Sequence, residues 1–178
     1  MRGPLVIVVP FAGEVHPRTR VSLAGYGVTY VDVGGHPSAY PLMLGRMWHA
    51  DTIIVEHDVV VPAGAIEGLE ECPNPWCYHS YIDYPGGLWP PMGLCRVRAE
   101  AMTATPECWT RYLARRAPGL NPDTMRPMPP DWHETWEEGL PPALAGEKPW
   151  SHCDEWLAAY LRKHGIDAHR HFPDVENL

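Results

Sequence analysis

Two carboxylates and a histidine interrupt an apolar run in DTIIVEHDVVVP, residues 51–62. Charge at the end of a buried strand is costly unless something positive meets it. Along an extended strand, side chains at i and i+2 share a face, roughly 6.5–7 Å apart. Glu56 and Asp58 therefore point into one space, with His57 between them. Two carboxylates so placed suit a hard divalent cation, Mn²⁺ or Mg²⁺, which in turn bridges diphosphate oxygens. One acid would touch the ion and the other reach it through water or hold a ribose hydroxyl. The competing account is a solvated strand end whose acids cap or pair with neighbours.

A second set of residues suits a softer metal. Cys72-x4-Cys77 lies close to His79, and His169 and His171 alternate on a segment that reads as extended, so both face one side. No second tight pair completes a zinc pattern, and five cysteines are an odd number for a disulfide framework. Ordinary buried thiols are the plainer account. A noncatalytic protein stabilised by zinc on Cys72, Cys77, His79, His169 and His171 is the non-enzymatic alternative.

Further polar groups have a structural and a chemical reading side by side. Asp154 and Glu155 follow Ser151 in a capping-box pattern, where the helix dipole favours acids. Asp32 precedes Gly34-Gly35 and suits a turn. Gly86, Gly87 and Gly93 would let backbone approach a ligand closely, and Trp89 offers an aromatic face beside them. Equally, these are turn glycines and a core aromatic.

The elements that must position these groups alternate along the first half. LVIVVP (5–10) is a continuous apolar run, as expected of a strand covered on both faces. A short helical connection spans 16–25, and VTYVDVGG (28–35) is a second strand. Tyr40, Met43, Leu44, Met47 and Trp48 recur at helical spacing. TIIVEHD (52–58) is a third strand, and a helix opens after Pro62. The order βαβαβ predicts a parallel sheet with right-handed crossovers. WCYHSYIDY (76–84) suits another strand, and GLCRVRAEAM (93–102) a strand passing into a helix, interrupted at Pro106. Residues 117–150 carry eight prolines and three tryptophans, which marks a long loop rather than regular structure. SHCDEWLAAYLRKHG (151–165) is a helix ended by glycine, and IDAHRHF (166–172) a short strand or extended tail.

A chain of 178 residues is long enough for one substantial core. Its net charge of −8 disfavours a broad grip on nucleic acid. No apolar run approaches the ~20 residues of a membrane span, and Met1-Arg2 with LVIVVP reads as a first strand rather than a leader. A cytoplasmic location is expected. Neither a G-x-G-x-x-G fingerprint nor a P-loop is present, so phosphate would be handled another way. In open parallel sheets ligands sit outside the carboxyl ends of the strands. The turn after Pro10, Asp32 with the glycine pair, and Glu56-His57-Asp58 all fall there.

This layout resembles the GT-A-fold glycosyltransferases, whose Asp-x-Asp motif at the end of an apolar strand reads here as Glu56-His57-Asp58. The resemblance is strongest over residues 4–102 and returns at 151–171. It is similar to small phage- or bacterium-borne members through IIVEHDVVVP, a WC-containing strand and a GLC turn. It implies a single-domain α/β Rossmann-type sandwich with a mainly parallel central sheet. Residues 1–75 would form the nucleotide-binding half, and 76–178 the acceptor side with its Pro/Trp-rich loop at 117–150. The implied reaction moves a sugar from a nucleotide-diphosphate sugar, UDP-linked by preference, with Mn²⁺ or Mg²⁺ on the diphosphate. The implied donor contacts are Pro10, Phe11, Ala12 and Asp32, with Glu56, His57, Gly87 and Trp89. Because Glu stands first in the motif, Asp58 is the favoured metal ligand, joined by Glu56 and by His171 or His169. Asp154, or Glu155 beside it, falls where inverting members place a catalytic base. The acceptor stays open among a modified DNA base, a protein and a glycan. The runner-up is a nucleotidyltransferase or nucleotide-sugar hydrolase. Nucleotidyltransferases of this sheet type carry a glycine-rich basic loop after strand one, whereas PFAGEVHPR has a single glycine.

Overall fold

The computed structural model describes residues 5–34, 39–82, 90–116 and 153–178. The first strand, β1 (Val6–Phe11), is flanked by β2 (Val28–Asp32) and β3 (Thr52–Val55), both parallel to it. Helix α1 (Pro17–Ser22) connects the first pair and α2 (Ala39–Met47) the second. This is the βαβαβ half read from the alternating apolar runs. All four residues of β3 are buried, as a strand covered on both faces requires.

Beyond β3 the sheet departs from expectation. β4 (Val59–Val60) follows, then α3 (Ala65–Glu71), β5 (Trp76–Tyr81) and β6 (Leu94–Val97). Helices α4 (Ala99–Ala104), α5 (Cys108–Arg116) and α6 (Cys153–Lys163) precede β7 (His169–Asn177). The strand order in the seven-stranded sheet is β2-β1-β3-β6-β5-β7-β4. β6 is antiparallel to both β3 and β5, and β4 is antiparallel to β7, while β5 and β7 run parallel. The sheet is therefore mixed and not mainly parallel. The physical reason is that apolar runs encode burial and not strand direction, which is set by pairing with distant segments.

Successive residues of the central strands face opposite sides, so one sheet serves two cores. Val8, Ile54, Cys95 and Val97 face α2, α5 and α6. Ile7, Val9, Ile53, Val55 and Leu94 face the side of α3, with Ile66 and Leu69. The first core is aromatic. Trp48, Trp109, Tyr112, Trp156 and Tyr160 follow one another with ring centroids 5.4–5.9 Å apart. The indole N–H of Trp48 donates to the Thr105 carbonyl at 2.8 Å, and that of Trp156 to Cys108 at 2.9 Å. Trp48 and Trp156 thus bury apolar area without leaving their polar edges unmet.

Helix α6 forms where apolar and charged residues agree with it. Trp156, Leu157, Tyr160 and Leu161 are buried, Asp154 and Glu155 lie in the first turn, and Arg162 and Lys163 in the last. Gly165 at φ 74° ends it: its N–H bonds the Arg162 carbonyl and the Ile166 N–H that of Leu161. Among the described residues no helix is long and apolar enough to cross a membrane.

Trp109 is 1% exposed and packed edge-on to both Trp48 and Tyr112. Trp109→Ala is expected to cost about 3–5 kcal/mol, read from the urea midpoint with the m-value unchanged.

Candidate functional site

The carboxyl ends of three parallel strands stand side by side. Pro10 pairs with Val31 and Phe11 with Asp32, and the register of Val8 with Ile54 brings Pro10 level with the end of β3. Ala12, Asp32 and the acidic residues after Val55 thus share one edge of the sheet. Asp32 holds its own turn, its Oδ1 accepting the Gly34 N–H at 2.8 Å. The turn is tight, because a side chain on Gly34 would meet the Ala12 Cα at 3.3 Å.

β3 ends at Val55, not at Asp58. Residues 56–58 form a turn in which the Val59 N–H returns to the Glu56 carbonyl at 3.2 Å. Three separate segments hold this turn. The Glu56 N–H donates to Gly93 (2.9 Å), the His57 carbonyl accepts from His16 (2.9 Å), and the Asp58 carbonyl accepts from Leu178 (2.9 Å). Glu56 and Asp58 are consequently not successive same-face residues of one strand. They flank a turn whose backbone is fixed on every side.

Glu56 is the most perturbed carboxyl of the described chain. Burial, foremost, pushes its pKa from 4.5 up to about 7, and the nearby charges of Asp58 and Asp154 push the same way. The Tyr81 hydroxyl opposes them, donating to Glu56 Oε2 at 3.0 Å. The buried Tyr40 hydroxyl also faces Glu56, without the alignment of a full hydrogen bond. Tyr81 itself ionises far less readily than usual because of burial and the carboxylate beside it. Gly93 makes this arrangement possible: a Cβ there would stand 1.9 Å from the Tyr81 hydroxyl.

Asp154 comes to this edge from the first turn of α6 and acts electrostatically on Glu56, Tyr81 and Cys95. The adjacent Glu155 N–H donates to Asp154 Oδ1 at 3.0 Å. His57 is half exposed, with Nδ1 3.9 Å from Asp58 Oδ1. Asp58 and Asp154 thus both act on Glu56, from two distant parts of the chain.

His169 and His171 are placed elsewhere. They open β7 beside Cys77 and His79, and His171 stands seven residues before Leu178, the residue bonded to Asp58. That is roughly 20 Å of extended chain, so the histidines gather with Cys72 rather than with the acids. Gly87 and Trp89 lie outside the described residues.

Tyr81, Tyr40 and the Gly93–Tyr81 contact were not singled out by sequence reasoning. A signal was present for Tyr81, since strand alternation sets Cys77, His79 and Tyr81 on one face. Tyr40 was counted into an apolar helix face, and its hydroxyl was the clue to a polar neighbour.

Between pH 4.5 and about 7 the folded chain holds a proton on Glu56 that the unfolded chain releases. Stability therefore falls as pH rises through that window. At about 1.36 kcal/mol per pKa unit the full effect is roughly 3 kcal/mol. Glu56→Gln is expected to match the wild type near about pH 5 and exceed it by roughly that amount near about pH 8. Urea unfolding at the two pH values measures it, and parallel pH profiles for both proteins would contradict it.

No protein-family model matches the chain, and no curated protein does. Among solved structures, the crystal structure of A197 from STIV is similar at a TM-score of 0.47 and 10% identity, covering 98% of this chain and 83% of that one. A glycosyltransferase involved in the glycosylation of the major capsid of PBCV-1 is similar at a TM-score of 0.40 and 15% identity, covering 65% of this chain and 69% of that one. At this level of likeness neither structure bears on what the chain does.

Proposed function

We propose that the chain is a glycosyltransferase that moves a sugar from a nucleotide-diphosphate sugar, UDP-linked by preference, to an acceptor hydroxyl. The observation that carries this reading is the meeting of Glu56, Asp58 and Asp154 at the carboxyl edge of the parallel strands. Strand ends of that kind are where ligands bind in α/β sheets.

Each residue has a role that follows from its surroundings. Pro10, Phe11, Ala12 and Asp32 line the edge where the base and ribose would lie. Asp58, with Glu56 beside it, would hold Mn²⁺ or Mg²⁺, whose charge would offset that developing on the departing diphosphate. Glu56 is held in place by Tyr81, so its carboxyl enters the site already oriented. Asp154 stands across from the acids of the turn and serves as general base. It takes the proton of the acceptor hydroxyl as that oxygen bonds to the anomeric carbon and the bond to the diphosphate oxygen breaks. The proton ends on Asp154 and the electron pair on the leaving nucleotide.

The test is a thermal-shift screen of UDP, GDP, TDP and their sugars, with and without Mn²⁺. At a ligand concentration 100-fold above Kd the stabilisation is about 2.7 kcal/mol, a rise of several degrees. Asp58→Ala is expected to abolish the metal-dependent part. Asp154→Asn is expected to keep it while turnover of the donor falls about 10²–10⁴-fold. Absence of stabilisation by every nucleotide would sink the reading.

A further inference from the structure

A second cluster of metal-ligating groups lies at the opposite end of β7 from the acidic turn. Cys72 follows the last turn of α3 as its C-cap, and His169 and His171 alternate at the start of β7. One ligand atom from each lies within 4.8 Å of the other two. Cys72 Sγ is 3.5 Å from His169 Nδ1, across 97 residues of sequence. A tetrahedral zinc with Zn–S of about 2.3 Å and Zn–N of about 2.0–2.1 Å sets its sulfur and nitrogen ligands about 3.5 Å apart. The spacing in the chain is the one that such an ion would impose.

We propose that Cys72, His169 and His171 form a zinc site, with His79 as the fourth ligand. Two observations beyond proximity support it. His171 Nε2 and His79 Nε2 are both buried with no hydrogen-bond partner among the described residues, an arrangement costly without a ligand. The two rings lie 5.5 Å apart, centroid to centroid. His79 Nδ1 is 2.7 Å from the Pro173 carbonyl, which accepts only, so Nδ1 carries the proton and Nε2 keeps its lone pair. Fixing a tautomer through a carbonyl is how ligating histidines are held.

The neighbours select the metal and the thiol. The Asn74 side-chain amide N–H donates to Cys72 Sγ at 3.5 Å, and the Arg96 guanidinium lies close by on the Cys72 carbonyl. Cys77 is buried, its thiol turned to the Leu69 carbonyl at 4.0 Å, and is left out of the cluster. Arg96 and Arg98 spend their donors on the Cys72 carbonyl and, for Arg96, on those of Glu70 and Asn74. Their charge disfavours a cation but favours a thiolate. One thiolate with neutral imidazoles is a soft set that prefers zinc to the manganese or magnesium suited to the acids. His169 is exposed, which gives the ion a route in. The site would pin the end of α3 to the start of β7, and it does not depend on the sugar-transfer reading.

The test is metal analysis of the full chain dialysed after incubation with equimolar zinc. About one zinc per chain is expected. His169→Ala, whose side chain is exposed and whose fold is checked by circular dichroism, should weaken binding about 10–100-fold, as should Cys72→Ser. Asp58→Ala should leave zinc content unchanged. Cobalt in place of zinc should show a thiolate charge-transfer band that is absent in Cys72→Ser. A folded wild-type chain that retains no zinc, or zinc held equally by His169→Ala and Cys72→Ser, would overturn the proposal.

Discussion

Three residues separate the end of β3 from the start of β4, yet one strand lies inside the sheet and the other at its edge. The backbone of Glu56, His57 and Asp58 must make that departure with no ladder partner on its own strand. Its polar groups are instead satisfied by Gly93, His16 and Leu178. These come from the entry to β6, the cap of α1 and the residue after β7. Backbone groups buried without partners are costly, so the position of two acids depends on three distant segments arriving together. The result is a turn already set before any ligand binds, the condition under which charge is most useful to catalysis.

The nine-residue β7 joins the two chemistries of the molecule. Its beginning lies against β5 and gathers imidazoles and a thiol, while its end lies against β4 and leads to the acidic turn. Hard oxygen donors and soft sulfur and nitrogen donors are thereby kept at opposite ends of one strand. With both proposed sites filled, that separation would sort two kinds of metal ion by ligand type rather than by affinity alone. Near the second end, Glu176 binds Arg18 of α1 through both oxygens, at 2.7 and 2.6 Å. The pair is exposed, so its part is to align α1 with the strand more than to stabilise the fold.

What could be read from the chain was whatever depends on local pattern. The apolar runs of β1 and β3, the helical spacing of α2 and the glycine-terminated α6 lie within a few residues of expectation. Strand direction could not be read this way, because it depends on pairings between distant segments. The third strand is expected to reach Asp58 but ends at Val55, since a turn built from Glu, His and Asp carries no glycine or proline to announce it. The pattern suggests a short strand or extended tail over 166–172, whereas β7 shifts register beside β5 and continues to Asn177. The acids at 56 and 58 stand out in the sequence as a candidate site, and the grouping of Asp154 with them rests on the resemblance. The hydroxyls that tune them were not, since Tyr40 and Tyr81 serve equally well as apolar residues in a periodic pattern. The closure of Cys72 on His169 was beyond any spacing rule.

Gly93 and Tyr81 carry a consequence for the history of such chains. The two positions are one unit: any side chain at 93 occupies the volume of the Tyr81 hydroxyl. Neither can drift alone, because a larger residue at 93 expels the phenol, and loss of the phenol leaves Glu56 without its donor. In a lineage of related sequences these positions should change in step, and a chain that had lost both would have surrendered control over when its glutamate ionises.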